Sequence, residues 1–231
     1  MHWGEYRGAN ANQQNLRVLI LCESHHTNAD SDNDKVAGKA ASYPTSSVVD
    51  CDYIQQKGNK KDYRNYVLFM KIEQSFGFHT QSVDERREFW NKVYFGNYIP
   101  VLCGVRDNAA KKMISAEKHR EEYNSQLFSF VNEHQIDVIF CFSRLVYKNL
   151  PSLEKEAGDT SGEKTCSEKV GGKRDYISFC EYAPDAARSD VNHPLKKRLI
   201  VYGMRHPSTR GGFRADNYKD FLSERLQECL R

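Results

Sequence analysis

Three residues stand at or just past the ends of short apolar runs and carry side chains suited to bond-breaking chemistry. They are Glu23 after Leu16–Cys22 (LRVLILC), Asn97 within Val93–Ile99, and His206 a few residues after Arg198–Tyr202 (RLIVY). A carboxylate can stabilise positive charge and orient a water, and one amide both donates and accepts hydrogen bonds. An imidazole can donate to negative charge that develops on a leaving group. Their neighbours are polar as well. Ser24, His25 and His26 follow Glu23, Ser143-Arg144 follow the run Ile136–Phe142 (IDVIFCF), and Arg205 and Ser208 flank His206. Two rival readings of these residues are weaker. Asp30, Asp32 and Asp34 have a calcium-loop spacing, but Lys35 and Ala41 stand where such a loop needs Gly and Glu. Cys22 and His25 can be written as a nucleophile and base, yet no third residue is placed to orient the histidine.

The elements that must position these groups follow from periodicity. The runs at 16–22, 136–142 and 198–202 are short and continuously apolar, the pattern of strands buried on both faces. Val93–Ile99 and Tyr176–Cys180 are weaker strand candidates. Helical patterns lie between them at Tyr63–Gln74, Asp84–Lys92, Ser115–Glu133 and Ala215–Leu230. Ser143 is placed to cap a further helix through Leu150, ended by Pro151. Strands alternating with helices predict an α/β three-layer sandwich with a central, mostly parallel sheet of four to five strands. Residues 1–231 read as one domain, with long loop insertions at about 27–62 and 151–174. In such sheets ligands bind at the carboxyl ends of the strands, which is where Glu23, Asn97, Ser143 and His206 all fall.

Composition narrows the class. The chain has 231 residues, 39% of them hydrophobic and 12% aromatic, enough for a packed core. Its net charge of +3 permits a nucleic-acid partner without demanding one. No apolar run reaches the roughly 18–20 residues of a membrane span. Neither a signal-peptide pattern nor a membrane segment is expected, and seven scattered cysteines without a C-x-x-C pair point to a reducing, cytoplasmic setting and no metal or other cofactor. The segment 196–214 (KKRLIVYGMRHPSTRGGFR) holds six basic residues and no acid.

Taken in order, Cys22-Glu23-Ser24-His25-His26, Phe95-Gly96-Asn97-Tyr98-Ile99-Pro100 and His206-Pro207-Ser208 resemble the three motifs of the uracil-DNA glycosylase superfamily, in a divergent, mostly uncharacterised branch. The resemblance implies a uracil-DNA glycosylase-like fold and an enzyme that flips a uracil or other damaged base into a pocket and hydrolyses its N-glycosidic bond. Glu23 and His206 would be the catalytic pair. Asn97 would read the base edge beside Ser24, and Tyr66, Tyr63 or Tyr43 would stack on the base. Arg205, Ser208, Arg210 and Phe213 would contact DNA, single- or double-stranded, with Arg210 and Phe213 as wedge candidates. A monomer is expected. The chain departs from the motifs at Cys22, Ser24 and His25, and serine is no general base. An inactive module on the same fold, binding a nucleobase or nucleic acid, is therefore the alternative.

Overall fold

The structure is a computed structural model that describes residues 6–26, 54, 67–78, 82–100, 102–103, 114, 116–151, 166–170, 176–184, 195–207 and 213–230. The chain opens with β1 (Tyr6–Arg7), a 3-10 turn (Ala11–Gln13), β2 (Val18–Cys22) and β3 (His25–His26). Helices α1 (Val67–Ser75) and α2 (Val83–Trp90) lead to β4 (Tyr94–Asn97) and β5 (Leu102–Cys103). Next come α3 (Glu117–His134), β6 (Val138–Cys141), α4 (Arg144–Asn149), β7 (Cys166–Lys169), β8 (Tyr176–Tyr182), β9 (Leu199–Gly203) and α5 (Asp216–Leu230).

Seven strands form one sheet in the order β1-β4-β2-β6-β9-β8-β7. The four central strands, β4, β2, β6 and β9, run parallel. The flanks do not: β1 is antiparallel to β4, β8 to β9, and β7 to β8. The sheet is thus mixed and larger than the expected four to five mostly parallel strands. The two additions, β1 and β7, are short edge strands, whose pairing comes from a neighbour and leaves little apolar signature. β7 falls inside the stretch expected to be a loop at 151–174; most of the other expected insertion, 27–62, lies outside the described residues.

Alternation along each strand divides the core. Val18, Ile20 and Cys22 of β2 pack with Phe69 and Ile72 of α1, Phe76 just after it, Phe89 and Trp90 of α2, and Tyr218, Leu222 and Leu226 of α5. Leu19 and Leu21 pack on the opposite face, with Tyr123, Leu127 and Phe128 of α3 and Val146 and Tyr147 of α4. This is an α/β protein with helices on both faces of a mixed sheet, an arrangement that fits a three-layer sandwich. Full burial of Leu19, Ile20 and Leu21 contributes about 1.5–3 kcal/mol each. Inside the α1–α2 layer, the Trp90 Nε1–H donates to the buried Glu73 carboxylate at 2.7 Å. Among the described residues no helix is long and apolar enough to cross a membrane.

Candidate functional site

Register brings the carboxyl ends of the parallel strands to one rim. Cys22 is level with Asn97, Leu21 with Cys141, and Cys141 with Gly203. Past these ends the backbones stay tied. Tyr98 N–H donates to the Cys22 carbonyl at 2.9 Å and Ile99 N–H to the Glu23 carbonyl at 3.0 Å. Phe142 N–H donates to Leu21 and Met204 N–H to Cys141, both at 2.8 Å. β3 and β5 then pair as a separate two-stranded sheet, His25 opposite Leu102. Glu23 and Ser24 therefore sit in the short gap between two paired stretches.

Glu23 is half-buried, and its Oε2 accepts from the Ser143 hydroxyl at 2.9 Å. The same Ser143 oxygen caps α4, accepting from the Val146 N–H at 3.2 Å. One buried hydroxyl thus fixes both the start of a helix and the direction of a carboxylate. Sequence pattern places Ser143 after a strand and gives it only the capping role. The signal for the second role is its position at the same rim as Glu23.

Asn97 is 3% exposed, and its side-chain amide makes no hydrogen bond among the described residues. Its backbone is level with Cys22, so it stands one strand from Glu23. The residue after it is anchored firmly: the Tyr98 hydroxyl donates to Asn124 Oδ1 at 2.8 Å, and Asn124 Nδ2 donates to the Asn149 carbonyl at 3.2 Å. The residue is almost wholly covered, yet its amide atoms are not sealed from solvent and no described residue takes up their hydrogen bonds, so the amide is open to a partner from outside.

Ser24 lies against Cys103. Burial pushes the Cys103 thiol up to about 11, the Ser24 hydrogen bond draws it down, and the Glu23 charge pushes it up. Cys141 is pushed up to about 12, chiefly by burial. Cys22 is raised well above the ordinary thiol value by burial, then by Cys141 and Glu23. A buried thiol so reluctant to ionise is a poor nucleophile, which removes the Cys22–His25 pairing from contention. Among the described residues no group of three or more His, Cys, Asp or Glu side chains is placed to hold a metal ion.

β9 supplies the last part of the rim. Gly203 ends the strand under the Tyr147 ring; a Cβ there would lie 2.4 Å from the ring carbons, so only glycine permits this approach. Arg205 and His206 come next, both half-buried. The Lys71 ammonium of α1 donates to the Pro207 carbonyl at 2.8 Å and lies 6.0 Å from the Phe213 ring centroid. Neither contact is foreseeable from sequence, because nothing in the pattern of α1 distinguishes Lys71 from a solvated lysine.

The structure therefore brings Glu23 and Asn97 to adjacent strand ends and sets His206 past β9, two strands from Glu23. That is about 10 Å between backbones at ordinary strand spacing. Phe213 does not project as a wedge. Its ring is 7% exposed and stacks on Tyr218 at 5.0 Å and 15°, inside the core. The described basic residues of 196–214 do not share one face either. Lys197 and Arg198 precede β9 at its opposite end, where they pair with Asp137 and Glu181. Tyr43, Tyr63, Tyr66, Ser208 and Arg210 lie outside the described residues. No protein-family model and no curated protein matches this chain.

Proposed function

We propose that the rim is a base-binding site and that the protein is a uracil-DNA glycosylase-like hydrolase acting on DNA. The observation that carries this reading is the Asn97 amide, uncommitted among the described residues at a strand end beside a carboxylate held by Ser143. An amide can donate to one and accept from another position on the edge of a flat heterocycle, a match that water-exposed groups achieve poorly. The interval between Glu23 and His206 suits a planar ring with a sugar behind it. In the reaction, the bond from C1′ of the sugar to the base nitrogen breaks and its electron pair leaves with the base. Glu23 stabilises the positive sugar and orients the water whose oxygen bonds to C1′. His206 donates a hydrogen bond to the negative base as it leaves, and the proton lost by the water passes through solvent to the base nitrogen, which leaves as the neutral base. Arg205, with Ser208 and Arg210, would meet the phosphates.

The test is to incubate the protein with uracil-containing single- and double-stranded oligonucleotides and to cleave abasic sites with alkali. Strand scission above that of Asn97→Ala supports the reading; equal scission removes it for uracil. Ser24, at a position where some members of the resembled superfamily carry a catalytic Asp or Asn, favours a second reading in which the site binds a nucleobase without cleaving. That reading expects stabilisation by free uracil, lost in Asn97→Ala, with no abasic product.

A further inference from the structure

The flank of the sheet on the α5 side carries a second, separate constellation. An open groove of about 370 Å³ lies between β8, β9 and α5. Phe179, Ile200 and Phe221 form its apolar walls, with Tyr202, Arg198 and Arg225 between them. Tyr202 meets Phe179 at 5.6 Å and 40°, and Phe221 at 5.6 Å and 78°. These rings are set at angles that leave faces for another planar group.

Three polar side chains line the same groove: Arg198, Arg225 and Tyr202. Burial raises the Tyr202 hydroxyl above its ordinary value, while Arg225 and Arg198 both pull it down and Cys229 and Glu228 push it up. The hydroxyl makes no hydrogen bond among the described residues. Glu181 accepts from Arg198 Nε and Nη2 at 2.5 and 2.6 Å, leaving Nη1 to serve another acceptor. Arg225 gives Nη1 to Glu228 at 2.8 Å and is planted 5.3 Å from the Phe221 ring centroid, with Nε and Nη2 uncommitted. The carboxylates hold the guanidiniums in place while each keeps donors to spare.

Aromatic walls with two guanidiniums and a hydroxyl among them complement a planar ring that bears an anionic group. The volume is at the small end of ligand sites, roughly 300–1,000 Å³, which suits one ring system with its head group better than a long chain. Forked guanidinium donors match the oxygens of a phosphate. We propose that this groove binds a nucleotide, its base against Phe179 and Phe221 and its phosphate at Arg198, Arg225 and the Tyr202 hydroxyl. The proposal does not rest on the reading of the rim.

Calorimetric titration of the full chain with thymidine monophosphate, thymidine and pentathymidylate tests it. Saturable binding of the monophosphate is expected, with thymidine weaker by about tenfold or more. Arg225→Gln and Tyr202→Phe should each weaken the monophosphate by about tenfold and leave thymidine unchanged. Phe179→Ala should weaken both ligands. Denaturation midpoints of the variants establish that they fold. Competition by pentathymidylate assigns the nucleotide to a single strand, and lack of competition to a free nucleotide; both fit the groove's chemistry. Absence of saturable binding overturns the proposal. So does binding that the groove variants leave intact, and binding that Asn97→Ala alone abolishes would place the nucleotide at the rim instead.

Discussion

At the amino ends of β2 and β6, polar groups are matched closely. Asp137 accepts the Arg17 backbone N–H at 2.7 Å and the Lys197 ammonium at 2.6 Å, and Arg17 Nη1 donates to the His134 carbonyl at 2.9 Å. The Arg7 guanidinium lies 2.9 Å from His134 Nε2. At the carboxyl ends of the parallel strands, the Asn97 amide of β4 is uncommitted among the described residues, and Glu23 keeps one oxygen beyond its bond to Ser143. Both rims belong to one sheet and carry similar residue types. A rim that satisfies its polar groups internally contributes stability; a rim that leaves one uncommitted keeps it for something outside the chain.

The sharpest way to break this comparison is at Asn97. Asn97→Ala should abolish most base binding and lower any excision by about 10²–10³-fold, the loss seen when a well-placed donor is removed. Stability should change by less than about 1 kcal/mol, because no internal hydrogen bond among the described residues is lost. Chemical denaturation beside the scission assay reads both. A loss of several kcal/mol without a change in binding would mean that the amide is structural, and the two rims would then differ in nothing but residue order.

The opposite variant is Asp137→Ala. It strands the Arg17 N–H and the Lys197 ammonium, so it should cost about 1–3 kcal/mol in denaturation and leave nucleobase binding unchanged. An effect on binding would show that the two ends of β6 are coupled.

Much of this contrast is legible in the amino-acid letters. The runs around Leu19, Ile139 and Val201 announce buried strands because a strand covered on both faces has no polar alternation to hide it. The polar residues just past each run then mark the rim, Ser143 and Arg144 included, and it is the resemblance of three short motifs that singles out Glu23, Asn97 and His206 among them. Strand direction is not legible: YISFC at 176–180 reads as a strand, but nothing in its letters says that it runs against β9. Nor is a two-residue strand such as Tyr6–Arg7, whose order comes from β4. Phe213 misleads for a different reason. A phenylalanine after a glycine pair in a basic segment resembles an exposed tip, and only the Tyr218 ring, on a helix yet to come, shows that it is an anchor.

Ser143 joins the two behaviours in one side chain, since its oxygen caps α4 and its proton holds Glu23. Ser143→Ala should cost about 1 kcal/mol through the lost cap. It should also lower excision about tenfold through a carboxylate freed to turn. A stability loss with undiminished excision would confine Ser143 to the helix.

The smallest expected effect separates the rims by pH. Cys103, beside Ser24 and Glu23, and Cys229, which feels Asp137 at the amino rim, are both pushed up from 9 to about 11, chiefly by burial. In the folded state each thiol keeps its proton where the unfolded chain has lost it. The stabilisation is therefore full below pH 9 and is lost as pH rises through about 11. Cys103→Ala and Cys229→Ala should each flatten the fall in denaturation midpoint across that window. Ser24→Ala should then distinguish them. The Ser24 hydrogen bond draws only Cys103 down, so its removal should move the Cys103 titration upward, followed by thiolate absorbance, and leave Cys229 where it is. Equal shifts at both thiols would mean that Ser24→Ala acts on the whole fold and that the rim contact with Cys103 carries no separate weight.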